Sequence, residues 1–104
     1  MTVEERIRKF TTLLEDIHHT MAPLTQETMM MEEKIGYENY RLIDASDRVV
    51  RLQNQLQSSY VDLVANCEND AEVEILLKEF EEEFYNVVLD YRNFLKELVM
   101  GTAL

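Results

Sequence analysis

The residue types that most often carry chemistry are sparse in this sequence: two histidines, His18 and His19, one cysteine, Cys67, and a scatter of carboxylates. Adjacent side chains on a helix point about 100° apart, so His18 and His19 cannot bind one metal ion from the same helix. A di-iron carboxylate bundle needs Glu-x-x-His on more than one inward-facing helix, and Glu15-Asp16-Ile17-His18 supplies it once. Cys67 sits in a polar stretch with no histidine nearby in sequence to activate it, and reads as a bystander thiol. Two glycines cannot build a P-loop, a G-x-G-x-x-G turn or a G-x-S-x-G elbow. Glu38 falls in an otherwise apolar seam, where pairing with an arginine or contact with solvent is the expectation rather than catalysis. These residues predict no enzyme, no metal site and no cofactor.

The elements that would position any site are helices. From Leu24 to Cys67, Ile35, Leu42, Val49, Leu56 and Leu63 fall one heptad apart, with Met31, Ala45 and Leu52 in the intermediate slots. That spacing predicts one long helix over residues 24–66, about 65 Å of rod at about 1.5 Å per residue. A first helix over 3–21 places Val3, Ile7, Phe10, Leu14, Ile17 and Met21 on one side, with Thr2 as cap and Glu5 three residues on. Pro23 either starts a new helix or kinks a continuous one. The apolar frame passes through it unshifted (Ile17, Met21, Leu24, Thr28, Met31, Ile35), which favours a kinked rod over a reversal at 19–24. Gly36 lies outside the seam and is expected to be tolerated at a cost of about 1 kcal/mol.

The polar run Asn66–Asp70 is the clearest break, with Asn69 and Glu72 approximating a capping box. A third helix over 71–100 follows, with Leu77, Phe80, Phe84, Val87, Tyr91, Phe94 and Leu98 continuing from Val73, and Gly101 in the position of a C-cap. It is expected to fold back antiparallel on the long helix. Ile43, Val50, Tyr60 and Val64, and Tyr85, Val88, Leu95 and Val99, widen the two stripes beyond a two-stranded seam. The expected fold is therefore all-α: a single elongated domain, 1–104, a helical hairpin or bundle with coiled-coil heptads. The first helix is too short to cover the long one, so completion by a homo-oligomer, a dimer or higher, is expected. Met29 and Met30 add apolar surface beside the seam residue Met31.

A net charge of −11 disfavours nucleic acid and anionic membranes as partners. No run of about 18 apolar residues is present, so no membrane insertion is expected. A single cysteine and no secretory h-region suit an intracellular protein, cytoplasmic or nuclear. From Glu68 to Glu83 eight carboxylates stand against Lys78 alone, a solvated face or a patch for a basic partner. Arg48 and Arg51 are the expected counterions for the turn Glu79–Glu83.

Arg51-Leu-Gln-Asn-Gln-Leu-Gln-Ser-Ser-Tyr-Val-Asp-Leu-Val, followed by Glu68-Asn69, resembles the second helix and turn of tubulin-binding cofactor A. That family comprises small three-helix chaperones for tubulin, although the first helix here is shorter. The resemblance implies a helper role. Architecture alone points to a non-catalytic assembly subunit or adaptor that joins helical protein chains, itself included, within a larger complex. Cytoskeletal, chromosome-associated and tethering complexes contain such subunits. The alternative is a small acidic chaperone that shields a partner before assembly.

Overall fold

The computed structural model describes residues 1–36 and 39–103, and nearly all of these lie in four helices. α1 spans Val3–Thr20, and the Thr2 hydroxyl accepts the Glu5 N–H at 3.1 Å, so the expected cap is present. α2 spans Ala22–Ile35 and follows after one residue, Met21, whose backbone is itself helical (φ −83°, ψ −6°). Pro23 lies in the first turn of α2, where its missing amide would have had no helical acceptor. The chain bends there and continues. Lys9 of α1 pairs with Glu74 and Glu27 of α2 with Arg92, so both helices advance along the last helix in the same direction.

The reversal comes later. Gly36 adopts φ 92°, ψ 146°, a conformation that residues with a Cβ rarely reach, and it ends α2. The Asn39 side chain then accepts the Leu42 N–H at 3.1 Å and caps α3, Tyr40–Ala65. The single helix expected over 24–66 is therefore two helices running in opposite directions. Glu38, singled out above, lies outside the described residues.

α3 turns into α4, Asp70–Ala103, through residues 66–69. The Asn69 side chain accepts the Glu72 N–H at 3.0 Å, and a Glu72 carboxylate oxygen accepts the Glu68 N–H at 3.4 Å. The first bond is the predicted cap; the return bond comes from Glu68, one residue before the cap, rather than from the Asn69 N–H of a full capping box. α4 runs through Gly101 rather than ending at it. A glycine permits a left-handed terminus but does not impose one.

The core consists of one apolar line from each of three rods. Phe10, Ile17, Leu24 and Met31 are buried at seven-residue intervals along α1 and α2. On α4 the buried line is Val73, Phe80, Phe84, Tyr91 and Leu95, and on α3 the half-buried Val49 and Gln53 connect Leu42 to Tyr60 and Val64. Both lines step 7-4-7-4, an 11-residue repeat of about 3.67 residues per turn, close to a straight helix. Phe80 is the aromatic centre, 4.7 Å from the Phe10 ring, 5.5 Å from Tyr60 and 5.6 Å from Phe84.

The molecule measures 54 × 19 × 18 Å. α1 and α2 together run beside α4 from Asp70 to Arg92, so the mismatch in length that argued for a second chain does not exist.

Candidate interaction groove

α1 and α2 cover only one side of the α3–α4 hairpin. The other side is a groove. Its floor is Ala45, Val49, Leu52, Leu56 and Leu63 from α3, with Leu76, Val87 and Phe94 from α4. Three open hollows follow one another along it. One of about 400 Å³ lies between Arg41 and Phe94, one of about 420 Å³ between Leu52 and Val87, and one of about 650 Å³ between Leu63 and Leu76. Leu52 and Leu63 are 44% and 49% exposed, which large aliphatic side chains are not when their own fold covers them.

The groove exists because α3 carries two apolar patterns at once. A strict heptad drifts about 20° per repeat around a straight helix. Leu42 is buried, Val49 and Leu56 are half-buried, and Leu63 has moved out to the groove. Tyr60 and Val64, on the flank of that frame, are core instead.

Other seam residues divide in the same way. Phe10, Ile17, Met31, Leu42, Phe80, Phe84, Tyr91 and Leu98 are buried, and Leu14, Ile35, Leu77, Val87 and Phe94 are half-buried. Ile7 is 37% exposed, just off the core line that Phe10 and Ile17 define. Leu95, also assigned to a flank, is core. The 11-residue spacing is the signal that separates core from groove.

The α4 rim is acidic. Glu72, Glu83 and Asp90 border the hollows, and Glu79 shares their face at seven residues from Glu72 and four from Glu83. The Tyr60 hydroxyl donates to Glu83 at 2.9 Å. Burial, then the hydrogen bond to Glu83 and the charges of Glu83 and Glu79, push the Tyr60 hydroxyl up to about 12.

On the α3 rim the Arg41 guanidinium lies over the Phe94 ring, 5.8 Å from its centre. Arg48 pairs at 3.2 Å with Asp44 of its own helix, not with Glu79–Glu83 as expected. Asp44 is one helical turn away, whereas the antiparallel register puts Asp90 level with Arg48. Arg51 makes no ion pair among the described residues.

Residues with chemical potential are dispersed. His18 rests 6.2 Å from the Phe84 ring, and the Cys67 thiol donates to the Leu63 carbonyl at 3.2 Å. Among the described residues no group of three His, Cys, Asp or Glu side chains could hold a metal ion, and no helix is long and apolar enough to cross a membrane. Met31 is core, whereas Met29 and Met30 are 59% and 57% exposed.

Charge is polarised along the rod. The half nearest the α3–α4 turn, residues 1–26 and 52–87, holds thirteen carboxylates against four Lys and Arg. Among the described residues the opposite half holds seven against six. No protein-family model matches the sequence, and neither the curated proteins nor the solved structures yield a match.

Proposed function

We propose that this protein is a non-catalytic assembly subunit or adaptor that joins other helical chains through the α3–α4 groove. The observation that carries the reading is the apolar floor with polar rims, running along a hairpin whose core is already closed on its other side. An added helix in such a groove completes a fourth side to the bundle, with side chains interdigitating as between helices of one core. The groove is also a surface on which a second copy could pair. Within this reading the protein works in the cytoplasm or nucleus, where a lone thiol such as Cys67 stays reduced. Cytoskeletal, chromosome-associated and tethering assemblies are the settings that use such subunits.

The test is a comparison of native assemblies formed with the wild-type chain and with a Leu52→Lys, Leu63→Lys chain. Both leucines are already exposed, so helicity and thermal stability should hold while the co-assembling chains are lost. Retention of the same chains at the same stoichiometry would sink the proposal.

The excess of carboxylates near the turn supports a second reading, an acidic chaperone for a basic segment. The two differ in the finished complex: a subunit stays in it, and a chaperone leaves.

A further inference from the structure

We infer that the occupant of the groove is an amphipathic helix of another protein, with basic residues flanking its apolar face. The inference rests on the groove reading and adds the chemistry of the partner. Near the turn the groove presents Leu52, Leu56 and Leu63 as floor, while Asp62, Glu72 and Glu83 border it without a single Lys or Arg among the lining residues of those two hollows. A docked apolar face buries the leucines. Lysines or arginines spaced to meet Glu72, Glu79 and Glu83 bring opposite charge to that rim. None of those three glutamates forms an ion pair among the described residues.

Length and polarity are also constrained. α3 offers 26 residues of groove wall, about 39 Å at the helical rise, so the ligand helix is about seven turns at most. Arg41 and Arg48 border the far hollow, which also contains Asp44 and Asp90. That end is close to balanced, so the basic residues of the ligand belong at the end lying by the α3–α4 turn. This asymmetry sets the direction of docking.

A second copy fits this chemistry poorly. Each chain carries −11, and its own carboxylate-rich half would be brought against another net-negative surface.

The protein contains no tryptophan, so a synthetic helical peptide bearing one reports its own binding by fluorescence. Three peptides of equal length serve as probes: a leucine-faced helix with lysine flanks, the same face with glutamate flanks, and the lysine peptide scrambled to abolish its apolar face. The expected result is saturable binding of the first alone, weakening steeply as salt rises. Glu72→Lys with Glu79→Lys, and separately Leu52→Lys with Leu63→Lys, should each weaken it by about tenfold or more. All four residues are exposed, and circular dichroism of each variant checks that the fold is retained.

Equal binding of the glutamate-flanked peptide overturns the charge assignment, and equal binding of the scrambled one overturns the groove as its seat. A wild-type protein that is a stable dimer by sedimentation equilibrium and excludes the lysine peptide overturns the choice of partner in favour of a second copy. Each of these leaves the wider groove reading to the native-assembly comparison, which fails on its own terms.

Discussion

Phe80→Ala is the substitution on which the description of the core depends most. The side chain is fully buried, and its ring meets those of Phe10 from α1, Tyr60 from α3 and Phe84 one turn along α4. Truncating a buried phenylalanine costs about 3–5 kcal/mol through lost transfer energy and the cavity left behind. Ring pairs add about 0.5–1.5 kcal/mol beyond area, and three of them push the expected loss towards the upper end. A chain of 104 residues has about 5–15 kcal/mol of total stability, so a loss of about 4 kcal/mol removes about a quarter of it or more. With unfolding entropy of about 2.1 cal/mol/K per residue, a loss of about 4 kcal/mol lowers Tm by about 18 °C. Urea and thermal unfolding followed by far-ultraviolet circular dichroism measure both quantities. Leu89→Ala, at a site 53% exposed, is the control and should change stability by less than about 0.5 kcal/mol. A loss at Phe80 below about 1.5 kcal/mol would refute a core shared by three rods.

Gly36→Ala should destabilise by about 1–3 kcal/mol, a purely backbone effect, because nothing lies within 4 Å of where its Cβ would stand. A neutral result in chemical denaturation would mean the reversal does not use that conformation. Gln53 occupies a core step of α3, its amide 3.7 Å from the Met21 sulfur, so Gln53→Leu should raise the urea midpoint by about 0.5–2 kcal/mol in free-energy terms. A fall in the midpoint would show that the amide is needed at the bend. The Tyr60 hydroxyl titrates near 12 in the folded chain and near 10 when unfolded. Its contribution is complete below pH 10 and is lost as pH rises towards 12, so stability should fall across that window and fall less in Tyr60→Phe. Identical alkaline profiles for the two proteins would contradict the burial of that hydroxyl.

Helix content, both polar caps and the antiparallel α3–α4 hairpin were legible in the sequence, since each rests on local spacing and cap chemistry. Thr2 with Glu5 and Asn69 with Glu72 form the bonds their spacing predicts. The break at Gly36 was not legible from periodicity, because the seven-residue step from Ile35 to Leu42 crosses the turn without losing frame. A frame marks which face is buried but carries no sign of direction. The distinguishing signal was chemical: a glycine able to end one helix, followed three residues later by an asparagine able to start another. Pro23, the more conspicuous breaker, falls where a helix start tolerates it. The groove was hidden for a related reason. Leu63 and Val64 are equally apolar neighbours, and only the drift of a straight helix assigns one to the partner surface and the other to the core.

The bend at Met21 and the late reversal at Gly36 bear on the order in which the molecule assembles. Tyr60 and Glu83 are 23 residues apart in the chain, whereas Arg6 and Asp70 are 64 apart and Lys9 and Glu74 are 65 apart. Closing the longer loop costs about 1 kcal/mol more, which favours the hairpin as nucleus with the first 35 residues docking afterwards. Truncations at Phe10 or Ile17 would then mainly speed unfolding, and those at Val64 or Phe84 would slow folding as well. On the ribosome the inequality is sharper. The apolar line of α1 and α2 is made first and has no α4 to meet until about 60 more residues have emerged, several seconds at about 5–20 residues per second. For that interval the nascent chain displays the amphipathic surface that most invites a chaperone.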